Sequence, residues 1–240
     1  MISASLTSSS LMMGGSSPGT TVGRERMTPD DNRIIDVGFD EERILLHLAD
    51  GRVLPLPLSG FLRVAKATPE QRLAWALTED GRGVNWPALW PPAADGMISV
   101  WSIEQDALYE RALARLQHAH RDLSALPRAE RELVALWRME ADINNGGFMQ
   151  FLCNWGEETC HLAIEALGGI GAQGTQQCLK DMLQVVAHHG ETEERVSLSD
   201  LPGMLTDAER ERLYALDQAF WKYPESLARR VVRHYAPRVS

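Results

Sequence analysis

An Asn-Gly-Gly turn inside a long helical pattern constrains the fold of this chain more than any other feature of its sequence. Residues 143–151 read Ile-Asn-Asn-Gly-Gly-Phe-Met-Gln-Phe, and Asn154 and Trp155 follow closely. Asn and Gly tolerate a positive φ better than other residues, so one helix can end and another begin within a few residues. The segment therefore predicts a junction between two helices. No array of nucleophile, base and oxyanion donors surrounds it, so it does not indicate an enzyme.

The second half of the chain has the apolar spacing of helices from Ile103 onward. Apolar side chains recur at intervals of three and four residues in several successive stretches. Thr206 with Glu209 has the pattern of a capping box, and Pro224 is placed to open the last helix. We therefore expect an all-helical unit of about six helices over residues 103–240.

Residues 30–102 have instead the features of a small α+β unit. Three short apolar runs indicate strands, and Asp50-Gly51 supplies the turn of a tight hairpin between the second and the third. Thr68 is placed to cap a helix from Pro69 to Leu77. The predicted fold class is thus α+β, a small β-hairpin and helix domain followed by the all-helical one.

The first 29 residues belong to neither unit. They are rich in Ser, Gly and Thr without a sustained apolar pattern, so we expect a disordered tail, and Met27 could be the natural start. The tail has neither the layout of a signal peptide nor a run of about 18 apolar residues. Cys153, Cys160 and Cys178 are too few for a disulfide framework. A cytoplasmic location is therefore expected.

The charge of the chain is negative and unevenly distributed. A net charge of −9 argues against direct binding to nucleic acid, because that affinity comes largely from Lys and Arg. Residues 140–217 hold 14 acidic side chains against 4 basic ones, a net charge of −10. Carboxylates at phosphate-like spacing could occupy the basic groove of a nucleic-acid-binding protein, although a charge run is also typical of a solvated face. The acids predicted to bind a partner are Glu157, Glu158, Glu165, Glu191, Glu193, Glu194, Asp200, Asp207 and Glu209.

The turn and the helix before it allow a structural and a functional interpretation. In the structural one, the Asn side chains bond nearby backbone groups and the aromatic rings enter the core; in the functional one, Asn145, Gln150 and Asn154 line a recognition pocket. Glu140 is expected on the apolar face of its helix, bonded to backbone amides of the turn or to an Asn amide. The motif residues are Glu140, Asn144, Asn145, Gly146, Gly147, Phe148, Gln150, Phe151 and Asn154.

The histidines and cysteines do not predict a metal site. His118 and His120 are two positions apart, which places them about 200° apart around a helix, so they cannot chelate one ion. The neighbouring pairs His188-His189 and Cys160-His161 have no second cluster at zinc spacing. We expect neither a metal nor a cofactor.

Both halves contain sets of short motifs. Those of the first half are Asp50-Gly51-Arg52, Pro57-Leu58, Ala67-Thr68-Pro69-Glu70-Gln71-Arg72 and Gly83-Val84-Asn85-Trp86-Pro87. With them the first half resembles a small bacterial domain family of unknown function, which implies its fold but no chemistry.

The motifs of the second half are Asn145-Gly146-Gly147-Phe148, Gln150-Phe151, Asn154 and Ile170-Gly171-Ala172. With them the second half resembles the family named for a bacterial DNA-mimic protein, which implies a helical fold and makes mimicry of DNA a hypothesis.

Three functional hypotheses follow. The first is a non-catalytic acidic module that binds a basic protein partner such as a transcription factor, with no direct contact to nucleic acid or membrane. The second is an antitoxin-like or immunity-like module that masks a partner enzyme, and the third is a hydrolase or transferase working around Glu140, Asn145 and Gln150. Each of them is compatible with a homo-oligomer.

Overall fold

The fold is α+β, as the sequence predicts, in a computed structural model that describes residues 31–190 and 198–239. In these described residues the strands lie between residues 34 and 99, called the sheet part below. The long helices lie from residue 100 onward, called the helical part. The tail expected at residues 1–29 falls outside the described residues.

The first sheet is a three-stranded antiparallel meander. Its strands are β1 (Ile34–Phe39), β2 (Arg43–Leu48) and β3 (Val53–Pro57), in that spatial order. Alternation on the central strand buries Ile44, Leu46 and Leu48, because successive side chains point to opposite faces. The hairpin predicted at Asp50-Gly51 is confirmed, and Gly51 has a φ of 88°.

The sequence indicates an extended stretch at Gly83 to Trp86, but its pairing into a second antiparallel sheet of very short strands was not predicted. This sheet consists of β4 (Ala76–Leu77), β5 (Gly83–Asn85) and β6 (Ile98–Ser99). Two short helices precede it, α1 (Leu62–Ala65) and α2 (Pro69–Leu73). Thr68 caps α2 as predicted, and does so through a capping box with Gln71, but the prediction that this helix reaches Leu77 is wrong. The chain leaves the helix after Leu73 because residues 76–77 pair with β5.

Six helices make up the described helical part, in agreement with the predicted number. No helix in the described residues has the length and apolar character needed to cross a lipid bilayer. The last helix follows the N-cap residue Ser226 and not Pro224, so its predicted start was three residues too early. The helices are α3 (Val100–His118), α4 (Arg128–Gly169), α5 (Gln173–Val186), α6 (Leu201–Met204), α7 (Asp207–Phe220) and α8 (Leu227–Tyr235).

The 42-residue helix α4 is broken at two places into three helical segments. The first break, at Gly146 and Gly147, confirms the junction predicted from the Asn-Gly-Gly turn. The second, at Gly156, has a φ of 75° and was not predicted. The segments cover residues 128–145, 148–155 and 157–169 and fold around one core, which includes the fully buried side chains Met139, Ile143, Phe148 and Phe151.

The two parts are joined by hydrogen bonds and ion pairs. Asp80 of the sheet part accepts hydrogen bonds from Trp101 Nε1 at 2.8 Å and from an Arg229 Nη at 2.9 Å. Glu104, near the start of α3, accepts from Asn32 Nδ2 at 2.7 Å and from Arg52 at 2.9 Å. Charged groups of each part therefore hold the start of α3 and the face of α8 against the sheets.

Candidate functional site

The first break in α4 is held by a carboxylate from α7. Phe148 N donates to Asp217 Oδ1 at 2.8 Å, which satisfies an amide that the interrupted helix leaves free. Gly147 has a φ of 84°, and a Cβ atom there would lie 2.5 Å from Asp217 Oδ2. Burial raises the pKa of Asp217, while the hydrogen bond from Phe148 acts in the opposite direction. The glycine is therefore required both by its φ and by the close carboxylate.

Asp142 is the centre of a polar network that joins the segments of α4. Its Oδ1 accepts from Gln150 Nε2 at 2.9 Å and from Asn154 Nδ2 at 3.1 Å, and its Oδ2 accepts from Trp155 Nε1 at 2.5 Å. Asn145 Nδ2 donates in turn to Gln150 Oε1 at 3.2 Å. The three side chains proposed for a recognition pocket thus meet in one network, and its acceptor is a residue that sequence reasoning missed.

Sequence spacing alone concealed the role of Asp142. In a straight helix a residue 12 positions away would lie about 18 Å along the axis, out of reach of a side-chain hydrogen bond. The break at Gly146 and Gly147 turns the chain back, so Asn154 and Trp155 reach the carboxylate. The only available signal was an acidic residue just before a predicted turn.

Exposed aromatic side chains flank the junction. Trp155 is 37% exposed, and the Arg138 guanidinium lies 3.8 Å from its ring centroid. Trp221 donates from Nε1 to the carbonyl oxygen of Ile143 at 3.2 Å and stays 36% exposed. Tyr223 is 65% exposed. Exposed aromatic rings beside Arg are enriched at protein interfaces, so this side of the helical part has the composition of a binding surface.

Glu140 does not bond the turn, which corrects the expectation from its helical position. Its Oε1 accepts from Tyr109 Oη at 2.6 Å and from Gln105 Nε2 at 2.8 Å, both on α3. Burial raises the pKa of Glu140 to about 7, the two hydrogen bonds lower it, and the charge of Asp106 raises it again. A carboxyl group with such a pKa could transfer protons, but Asn145 and Gln150 belong to the separate Asp142 network.

The acids of the third α4 segment differ in whether a cation neutralises them. Glu157 and Glu158 are exposed, and neither forms an ion pair within the described part of the chain. Glu165 is exposed too but lies 3.2 Å from an Arg128 Nη. Glu158, His161 and Glu165 share one side of the helix, where they line a groove of about 510 Å³ together with Arg121 and Arg131. That groove is therefore of mixed charge.

The remaining predicted acids fall into three groups. Asp200 and Asp207 are exposed. Glu209 is buried: its Oε2 accepts from Thr206 N and Thr206 Oγ1, both at 2.7 Å, which confirms the capping box and removes Glu209 from any exposed surface. These hydrogen bonds lower the pKa of Glu209 to about 2. Glu191, Glu193 and Glu194 lie outside the described residues.

One group of side chains has the composition of a metal site. His188 Nε2 and His189 Nε2 each lie 3.2 Å from Glu209 Oε1, and the three ligand atoms are within 4.8 Å of one another. The sequence did not predict this group, because the two histidines and the glutamate are 20 residues apart. A distance of 3.2 Å is also that of an ordinary hydrogen bond, so the same geometry suits side chains that bond to one another and side chains that bind a metal ion.

Comparison with known families finds one matching region in each half of the chain. No curated protein and no solved structure gives a significant match to the chain. Residues 34–89 match the family described as protein of unknown function, DUF2442, and residues 124–238 match the DMP19-like protein family. Both resemblances inferred from the sequence motifs are thereby confirmed, a DUF2442 region in the sheet part and a DMP19-like region in the helical part.

Proposed function

We propose that the helical part binds a basic protein that normally binds DNA, through a surface formed by Trp155, Glu157 and Glu158. The name of the DMP19-like family refers to mimicry of DNA, which makes a DNA-binding protein the natural class of partner. The observation that carries the proposal is the pairing of an exposed, fixed aromatic ring with two adjacent exposed carboxylates that form no ion pair with any described residue. We call these three residues the docking surface.

The docking surface is rigid at its centre. Trp155 is held on one side by the Asp142 carboxylate and on the other by the Arg138 guanidinium. Glu157 and Glu158 begin a helical segment directly after the break at Gly156, so their backbone positions are fixed relative to the ring. Preorganised groups lose less conformational entropy when a partner binds. Fixed carboxylates are also a better imitation of a duplex than acids on a loop.

The surrounding charges favour the docking surface as the binding site over the groove lined by Glu158, His161 and Glu165. Glu165 is paired with Arg128, and Arg121 and Arg131 reduce the negative potential of the groove. Leu198 contacts the second segment, since Cys153 Sγ donates to its carbonyl oxygen at 3.1 Å. Asp200, two residues further along the chain, is a further exposed acid.

A second acidic group, on α3, strengthens the negative potential of the helical part. Burial and the charge of Glu110 raise the pKa of Asp106. The charge of Asp106 in turn contributes to the raised pKa of Glu140. Asp106 and Glu110 are both exposed and form no ion pair within the described residues. The negative field of such acids attracts a basic partner and increases its rate of association.

The test compares charge reversal at two places in the full-length protein. The variant E157K/E158K changes the docking surface, and E41K/E42K makes the same change of net charge at two adjacent exposed acids of the sheet part. Proteins captured from the native host by the wild type are identified and assayed for DNA binding by mobility shift. We expect the wild type and E41K/E42K to displace DNA from the captured protein at similar concentrations. E157K/E158K should need a concentration at least about tenfold higher for the same displacement.

Salt dependence gives the second part of the same test. Because surface charges are screened over about 8 Å at physiological ionic strength, capture should weaken strongly as salt increases. Capture that does not depend on salt, or an equal loss in both double variants, would show that the docking surface is not the binding site.

A further inference from the structure

A cleft of about 570 Å³ beside α8 is lined mainly by cationic side chains. It lies between the start and outer face of α8 and the end of α4, where Gly169 and Ile170 form its other wall. None of the acids discussed above lines it. The side chains that matter for its chemistry are Ser226, Arg229, Arg230, Arg233, His234 and Arg238.

Three of the four arginines in this cleft are not neutralised. Arg230, Arg233 and Arg238 form no ion pair within residues 31–190 and 198–239. Arg230 and Arg238 donate hydrogen bonds to the backbone carbonyl oxygens of Ile170 and His234, respectively. Like charges held close together repel one another, so the cleft favours an anion.

Arg229 is fixed differently from the other three. One Arg229 Nη lies 2.9 Å from Asp80 Oδ2 and 3.8 Å from Asp95 Oδ1, both in the sheet part. These contacts hold the guanidinium in place but leave its Nε free. Arg233 is also positioned, because its guanidinium lies over the Trp101 ring at 5.4 Å from the centroid. Two of the cations are therefore preorganised.

Two buried polar atoms of the cleft have no hydrogen-bond partner among the described residues. They are Ser226 Oγ and Arg229 Nε. Ser226 is the N-cap residue of α8, yet its hydroxyl does not cap the helix. Leaving buried polar atoms unpaired is unfavourable, and such atoms in native structures usually indicate a missing partner. A hydroxyl and a guanidinium N–H can both donate, so an acceptor oxygen of a ligand would satisfy both.

We propose that this cleft binds a small anion carrying two or more phosphate groups. Arg230, Arg233 and Arg238 neutralise its charge, while Ser226 Oγ and Arg229 Nε donate hydrogen bonds to its oxygens. Guanidinium groups match the geometry of phosphate oxygens, and the volume falls within the range of sites for small molecules. A long nucleic acid is disfavoured because the whole chain carries a net charge of −9. This proposal is independent of the docking surface.

Calorimetric titration of the full-length protein with pyrophosphate tests the proposal. We expect R230Q/R233Q to weaken binding at least about tenfold, because hydrogen bonds to charged groups are among the stronger ones. The control R210Q/R212Q removes the same charge from two exposed positions on α7 and should leave the affinity unchanged. Equal weakening in both variants, or no binding of pyrophosphate to the wild type at about 1 mM, overturns the proposal.

Three further probes define the ligand class. Inorganic phosphate should bind more weakly than pyrophosphate, and citrate should not compete with it. Competition by citrate at equal strength, or binding of a short DNA duplex without binding of pyrophosphate, contradicts a phosphate-bearing small anion.

A gentler variant keeps the test decisive if R230Q/R233Q does not fold, as judged by circular dichroism. Ser226→Ala removes one unpaired hydroxyl and should leave the melting temperature unchanged or raised. It should still weaken pyrophosphate binding by about fivefold. Unchanged binding in Ser226→Ala would show that this hydroxyl does not contact the ligand and would overturn the proposed set of donors.

Discussion

Asp217 on α7 accepts a hydrogen bond from the backbone N–H of Phe148 at 2.8 Å, 69 residues away in sequence. The bond supplies the acceptor that the interrupted helix α4 would otherwise supply itself. Asp217 lies so close that only a glycine fits at position 147. The Asn-Gly-Gly-Phe motif is thus explained by a tertiary contact, and the backbone geometry of the turn depends on α7.

The first prediction concerns this glycine. Gly147→Ala should lower the free energy of unfolding by about 1–3 kcal/mol or more, because a side chain is strained at this φ and its Cβ would displace Asp217. The measurement is urea denaturation. Gly203→Ala is the control, since a Cβ there meets no atom within 4 Å. An equal loss in the two variants would contradict the account of the turn.

The Asp142 network gives a second prediction. Asp142→Asn should lower the free energy of unfolding by about 1–2 kcal/mol. The two carboxylate oxygens of Asp142 accept from three donors, whereas an amide has only one acceptor oxygen. Asp106→Asn is a matched control on an exposed helix position, where the raised pKa shows that the carboxylate is not stabilised. Its stability should be unchanged or higher. A loss in the control as large as in Asp142→Asn would refute the network's role.

Glu140 should make stability depend on pH. Its pKa is about 7 in the folded protein and 4.5 ordinarily, so the unfolded chain releases the proton first as pH rises. Its stabilising contribution is fully present below pH 4.5 and is lost as pH rises through about 7, a change of at most about 3 kcal/mol. Glu140→Gln keeps both hydrogen bonds and should remove this slope.

The pH dependence is measured as the difference in unfolding free energy between wild type and Glu140→Gln. The difference cancels the contribution from Asp217, whose pKa is also raised, and retains only that part of the Asp106 contribution that depends on the charge of Glu140. A difference that is constant between about pH 5 and 8 would mean that Glu140 keeps an ordinary pKa in the folded protein.

The start of α5 gives a fourth prediction. Glu225 Oε1 accepts from Gly174 N at 2.5 Å, and its Oε2 accepts from Thr175 N at 3.2 Å and from Thr175 Oγ1 at 2.9 Å. Glu225→Ala should lower the melting temperature by the equivalent of about 1–2 kcal/mol, the usual effect of losing a helix cap. Glu211→Ala, at an exposed position of α7, should have little effect. Similar melting temperatures for the two variants would argue against capping.

Features that depend on local chemistry could be predicted from the sequence. The hairpin at Asp50-Gly51 and the capping boxes begun by Thr68 and Thr206 each rest on residues close in sequence. The first break in α4 also followed from Asn and Gly side by side. The break at Gly156 did not, because a lone glycine within a helical pattern is usually tolerated.

Features that depend on tertiary contacts could not be predicted. The strands of the second sheet have only two or three residues, too few to show alternation. Glu209 was assigned to an exposed surface because its burial depends on His189, 20 residues earlier. Glu140 was placed correctly on the inner side of its helix, but its partners on α3 could not be known. The basic cleft likewise arises only when α8 packs beside the end of α4.

Asp80 of the sheet part fixes the position of side chains in the helical part. Its carboxylate binds both Trp101 and Arg229, so one wall of the α8 cleft is anchored by a residue from outside the DMP19-like region. Burial opposes ionisation of Asp80, but hydrogen bonds from Trp101 and Thr78 lower its pKa overall. A fragment trimmed to the DMP19-like region would lack this anchor, and its Arg229 would have to find another position.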